Sequence, residues 1–185
     1  MGHDNLVPHH RRSIRLKGYD YTRPGAYFIT LVTHQRANLF GEILNGEMQL
    51  SPMGQIAGEH WQDIPELFPH TVLGAYVIMP NHVHGIIIIN DLGWDTTMSC
   101  PNQDPPHTQE QFQKPVTGSI PTIIRSYKAS VTYRIQKELN STGIWQRNYY
   151  EHIIRDDGEY NRIHLYIEAN VRKWEIDHTD LLKPE

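Results

Sequence analysis

A single cysteine, Cys100, stands among 185 residues, so neither a disulfide framework nor a thiolate metal cluster is available to this chain. No apolar run is long enough for a membrane span. The most apolar stretch, Leu73 to Ile89, is broken by Pro80, Asn81 and two histidines. Met1-Gly2-His3-Asp4-Asn5-Leu6 lacks the apolar core of a signal peptide. An excess of positive charge is missing too: 17 Lys and Arg against 21 Asp and Glu leave a net charge of −4. That balance argues against polycation-style binding to nucleic acid, while leaving room for a local basic groove. No internal repeat is present. The expectation is a soluble, cytoplasmic protein without membrane association, a single domain over residues 1–185.

Histidine, by contrast, is abundant, with 12 copies, so any one pair can be accidental. The informative stretch is Tyr76-Val77-Ile78-Met79-Pro80-Asn81-His82-Val83-His84-Gly85-Ile86-Ile87-Ile88-Ile89. Two β-branched runs flank a Pro-Asn break, which reads as a hairpin with strands over 72–79 and 84–89. If His82-Val83-His84 is extended, both imidazoles face one side, roughly 6–7 Å apart along the strand. Such a pair is either two legs of a metal site or two ordinary half-exposed histidines.

The remaining elements follow from pattern. Residues 1–18 form a basic arm with Arg11, Arg12, Arg15 and Lys17. Ala26 to Thr33 reads as a central strand, and Leu39 to Leu50, centred on Asn45-Gly46, as a hairpin. Ser51-Pro52 starts a helix to about Glu66, with Trp61 on its core face. Residues 91–117 lose all periodicity and read as a flexible polar insert. A helix from Ser119 to Leu139 carries Arg125 and Lys128 opposite its apolar stripe, either as solvated charges or as a face along a nucleic-acid groove. Ile144 to Ile154 reads as a strand, Gly158 to about Lys173 as a final helix, and 175–185 as a tail. This order predicts an α+β fold: an antiparallel sheet with helices on one face, close to the ferredoxin-like split βαβ plan.

Tyr166 and Asn170 are four apart on the final helix and share a face. Taken singly, the first is an ordinary core aromatic and the second a helix cap. Together with Met79-Pro80-Asn81-His82-Val83-His84 and the block Trp145-Gln146-Arg147-Asn148-Tyr149-Tyr150-Glu151-His152, they make the chain resemble the HUH single-tyrosine transposases. The resemblance is closer to the IS200-like, REP-associated tyrosine transposase branch and covers roughly residues 10–175. It implies the HUH endonuclease fold. It also implies a divalent cation, Mg²⁺ or Mn²⁺, held by His82, His84 and Asn170, a donor set with positions left open for a phosphate oxygen. By the family pattern Tyr166 attacks phosphorus to give a 5′-phosphotyrosine and a free 3′-OH, so that the strand can be rejoined without ATP. A free phenol ionises near pH ~10, so this nucleophile needs help, and the residues do not show which group takes its proton.

The implied substrate is single-stranded or hairpin DNA. Phosphate contacts are expected from Arg11, Arg12, Arg15, Lys17, Arg125, Lys128 and Arg147, base stacking from Tyr19 and Tyr21, and His152 is expected near the site. Tyr149 and Tyr150 rank below Tyr166 as nucleophiles, since no ligand follows one helical turn later. Where the family often has Pro, this chain has Val171, which should lengthen the helix slightly. A homodimer exchanging the tyrosine helix is one expected assembly and a monomer the other. Two rival functions remain: a phosphodiesterase using metal-bound water, and a hairpin-binding protein without catalysis.

Overall fold

The computed structural model describes residues 19–90 and 116–179. Arg11, Arg12, Arg15, Lys17, Cys100 and most of the polar stretch at 91–117 lie outside the described residues. In order the elements are β1 (Gly25–Val32), a 3-10 turn (His34–Arg36), β2 (Gly41–Leu44), β3 (Glu47–Leu50), α1 (Pro52–Gln62), α2 (Ile64–Leu67), β4 (Thr71–Met79), β5 (His82–Ile89), α3 (Ile120–Leu139), β6 (Tyr150–Ile154), α4 (Asp157–Glu168) and α5 (Asn170–Thr179). Four strands form an antiparallel sheet in the order β4-β5-β1-β6, and β2-β3 is a separate hairpin. With that hairpin set aside, the first strand lies beside the third and the fourth, as in the split βαβ plan. The expected α+β, ferredoxin-like architecture is present.

Strand alternation divides the sheet into two chemically different faces. Tyr27, Ile29, Leu31, Val83, Ile87 and Ile89 point into the main core, where α1 brings Ile56 and Trp61 and α3 brings Ile123, Ile124, Tyr127, Val131 and Ile135. This is the expected helical layer, but the expectation of helices on that face alone is not met, because the apolar stripe of α4 covers the other. The opposite face carries Phe28, Ile86, Val77 and Ile88, and α4 lies across it through Tyr160, Ile163 and Ile167. Each fully buried aliphatic side chain of this kind contributes roughly 1.5–3 kcal/mol, so a small stripe fixes α4 on the sheet. A β-carbon at Gly74 would come within 2.9 Å of the Tyr160 hydroxyl, which marks where the helix touches β4.

Local chemistry explains most element ends. Ser51 Oγ accepts from Gly54 N (3.1 Å) and Pro52 opens α1. The helix expected over 52–66 is split at Asp63, because Pro65 is tolerated in the first turn of α2 but not inside a continuing helix. Asn45 and Gly46 both have positive φ (55° and 79°) at the tip of β2-β3, the conformation a two-residue hairpin turn requires. Asp156 Oδ1 accepts from Glu159 N (2.8 Å) and caps α4.

Three further expectations are modified. Of the strand expected over 144–154, β6 comprises Tyr150–Ile154; Trp145 contributes a single bridge to Thr33. The final helix is two helices, separated at Ala169 (φ −80°, ψ −4°), and the second continues to Thr179. Tyr21 is 3% exposed within the core, so its ring is not available to stack on bases.

Candidate active site

His82 and His84 enter from β5, where His82 is flanked by Val32 of β1 and Met79 of β4, and His84 by Thr30 and Val77. Both imidazoles stand on the α4 side of the sheet with ring centroids 4.5 Å apart, so the reading of two histidines on one face holds. Each ring is oriented through Nδ1. Asn81 Oδ1, which can only accept, lies 2.7 Å from His82 Nδ1, and Thr30 Oγ1 lies 2.8 Å from His84 Nδ1. His82 therefore carries its proton on Nδ1 and presents the Nε2 lone pair. Thr30 leaves His84 free to do the same.

Tyr166 and Asn170 reach these nitrogens from the junction of α4 and α5. The Tyr166 hydroxyl is 3.3 Å from His84 Nε2, and its ring stands edge-on to Phe28. Asn170 is 6% exposed, with its side-chain oxygen placed to accept from His82 when that ring is charged, while its Nδ2 has no partner. All four residues belong to one chain. They line a cleft of about 330 Å³ together with Thr30, Val32, Arg36, Asn81, Lys173 and Trp174.

Burial sets the charge state of the imidazoles. Desolvation, reinforced by the Arg36 charge, pushes His82 down to about 4, although its hydrogen bond with Asn170 opposes the shift. Burial and then the neighbouring His82 push His84 down to about 3. Both are neutral at physiological pH, the state a metal ligand must have. Nδ1 bonds that leave Nε2 lone pairs facing a cleft are the second layer of support usual for metal-binding histidines. A buried amide with an unpartnered donor completes a polar set beside them. Among the described residues no group of three His, Cys, Asp or Glu side chains is placed to hold a metal, so a third protein ligand here would be an amide. These residues fit an open-sided divalent cation.

Two cations in the cleft, Arg36 and Lys173, escape sequence reasoning. Lys173 Nζ lies 5.1 Å from the centroid of the Tyr166 ring, and no carboxylate lines the cleft. The spacing of Lys173 from Tyr166, seven residues along a helical pattern, was a usable signal; Arg36, in the turn after β1, offered none. The other named cations lie elsewhere. Arg125 and Lys128 ride on α3, which covers the opposite face, and Lys128 Nζ donates to Gln146 O (2.6 Å) above the Trp145 ring. Lys128 and Arg147 line a shallow depression of about 480 Å³ with Tyr133 and Trp145. His152 hydrogen-bonds Glu159 (2.8 Å) at the start of α4, and His164 pairs with Glu168 (3.2 Å), away from Tyr166.

No family model matches the chain. It is 43% identical over 173 residues to an uncharacterized protein of Haemophilus influenzae, covering 94% of both, and belongs to the same family. A second protein of that organism, described as a "Putative REP-associated tyrosine transposase", is 25% identical over 167 residues, 84% of this chain and 80% of that protein. A solved REP-associated tyrosine transposase bound to a REP hairpin superposes with a TM-score of 0.51 at 20% identity, over 93% of this chain and 74% of the other. The chain is thus similar to REP-associated tyrosine transposases. It shares their fold, and the four residues singled out on grounds of that resemblance converge in one cleft. Among the described residues no helix is long and apolar enough to cross a membrane.

Proposed function

We propose that this chain is a single-strand DNA transesterase that cleaves and rejoins DNA near hairpins through Tyr166. The observation that carries the reading is the placement of the Tyr166 hydroxyl 3.3 Å from His84 Nε2 in a cleft that also holds His82 and Asn170. A phenol serving only the core would not stand half-exposed at the nitrogen of a buried, neutral imidazole. The phenol oxygen bonds to phosphorus as the P–O3′ bond breaks, leaving a 5′-phosphotyrosine on the protein and a 3′-OH on the strand; the phenolic proton leaves and the 3′ oxygen gains one, so the exchange is balanced. His82, His84 and Asn170 would hold Mg²⁺ or Mn²⁺, which supplies charge neutralisation at the phosphate oxygens.

Arg36 and Lys173 give the cleft a positive lining on a chain of net charge −4, which favours an anionic strand there. Arg125, Lys128 and Arg147 would meet flanking DNA on the α3 side. In this reading one chain brings nucleophile and ligands together in the same cleft.

The test is incubation of the protein with an end-labelled hairpin bearing single-stranded flanks and Mn²⁺. An SDS-resistant protein–DNA adduct is expected from the native chain and none from Tyr166→Phe. Cleavage without adduct, retained by Tyr166→Phe, would replace this reading with hydrolysis by metal-bound water. Hairpin binding with neither cleavage nor adduct would reduce the function to binding.

A further inference from the structure

The Asn81 amide touches two parts of the cleft at once. Its Oδ1 accepts from His82 Nδ1 (2.7 Å), and its Nδ2 donates to the carbonyl of Arg36 (3.2 Å). The backbone beside it is tied to the same segment. Thr33, fully buried, donates to Asn81 O through N (2.9 Å), its Oγ1 lies between Ala37 O (2.7 Å) and Asn81 O (2.9 Å), and Phe40 N donates to Pro80 O (2.9 Å). The β4-β5 turn and the segment 33–40 are therefore one hydrogen-bonded unit, with the His82 ring on one side and Arg36 on the other.

That unit also holds an unfavourable backbone. Gln35 and Arg36 are consecutive non-glycine residues with positive φ (54° and 56°). Such conformations cost of order 1–3 kcal/mol and persist where neighbouring bonds impose them. Arg36 N donates to Thr33 O (3.1 Å), and the Asn81 amide takes the Arg36 carbonyl. The outcome is an arginine lining the cleft mouth beside His82 and Lys173.

Turn propensity alone does not account for asparagine here. Glycine would make the turn without either bond, and aspartate would keep the bond to His82 while losing the donor to Arg36. An amide is the one short side chain that serves both.

Resting on the transesterase reading above, we propose that Asn81 is a positioning residue that couples the His82 imidazole to the Arg36 turn, and that Arg36 receives a non-bridging oxygen of a phosphate beside the scissile one. The guanidinium suits that role, because a fork of N–H donors binds phosphate oxygens with charge-assisted hydrogen bonds.

The test separates the two arms of the amide. Binding of Mn²⁺ alone is measured by titration calorimetry, and binding of a labelled single-stranded hairpin by anisotropy in EDTA, for Asn81→Ala, Asn81→Asp, Arg36→Ala and the double variant Asn81→Asp/Arg36→Ala. Asn81→Ala is expected to weaken Mn²⁺ by about tenfold or more, as loss of an outer-layer partner does, while Asn81→Asp retains it. Arg36→Ala and Asn81→Asp should each weaken hairpin binding with Mn²⁺ affinity intact in both, and the double variant should bind no more weakly than Arg36→Ala. If the two losses multiply instead, Asn81 does not act through Arg36, and the proposal falls. Unchanged Mn²⁺ affinity in Asn81→Ala also overturns it. Should Asn81→Ala fail to fold by circular dichroism, the cycle between Asn81→Asp and Arg36→Ala decides alone. Adduct formation by the native chain is scored in parallel: absence of an adduct sinks the transesterase reading, whereas an adduct without the coupling sinks only this one.

Discussion

The indole of Trp61 lies flat against Gly85, so close that a β-carbon there would stand 2.2 Å from the ring. Gly85 follows His84 on β5 and points to the main core, so the glycine lets the largest buried side chain of α1 rest on the strand that carries both histidines. Gly85→Ala should therefore force the indole or the strand to move, at a cost of about 1–3 kcal/mol for an overpacked core. Urea unfolding of the variant measures it. A loss under about 0.5 kcal/mol would mean that Trp61 yields freely and that the close fit does not hold β5 in place.

Thr30 orients His84 from the neighbouring strand, with 2.8 Å between its Oγ1 and the imidazole Nδ1. Thr30→Val keeps the shape and removes that partner. Mn²⁺ affinity should fall about tenfold or more, with the fold intact by circular dichroism. Calorimetric titration with an unchanged Kd would show that the ring needs no support from β1.

Acid should loosen the metal-free protein earlier than its carboxylates alone would. Burial holds His82 at about 4 and His84 at about 3, against 6.5 for an unperturbed imidazole. Between those values the unfolded chain binds protons that the folded chain does not, so stability is fully present above about 6.5 and declines as pH falls toward 4. The slope is at most about 1.4 kcal/mol per pH unit for each imidazole. Urea unfolding of EDTA-treated protein at about pH 7 and about pH 5.5 reads the slope. His84→Gln should flatten it, and an identical slope in the variant would contradict the assignment.

The start of α4 sets where Tyr166 ends up. Asp156 caps the helix, and Glu159 accepts from His152 and from Arg155 N (both 2.8 Å). Asp156→Ala should cost about 1 kcal/mol and slow adduct formation without abolishing it. Complete loss of adduct in a protein that still folds would give Asp156 a direct role in the chemistry.

Periodicity explains what the sequence disclosed. A spacing of two on a strand placed His82 and His84 together, and a spacing of four on a helix placed Tyr166 and Asn170 together, because both patterns are imposed by local geometry. Arg36 escaped because it follows a strand break, and the left-handed conformation at Gln35 and Arg36 is set by bonds to Thr33 and Asn81 rather than by the residues themselves. The division at Ala169 escaped for the opposite reason: Tyr160, Ile163, Ile167 and Val171 keep a helical rhythm through it, with no glycine or proline to mark the break. Trp145 looked like strand because it is aromatic and follows the β-branched Ile144. Its ring instead packs among Phe40 and Tyr127, and the core rather than a ladder directs its course.

The division at Ala169 has a mechanical meaning. Tyr166 belongs to α4, which is seated on the sheet, while Asn170 opens α5, which packs against β2, β3 and β4. The proposed attacking group and the proposed ligand thus ride on two arms of one elbow, each arm resting on its own support. On the proposed reading, substitutions in the small hairpin would tune the grip on a cation while the reach of the phenol is left alone, and substitutions under α4 would do the reverse.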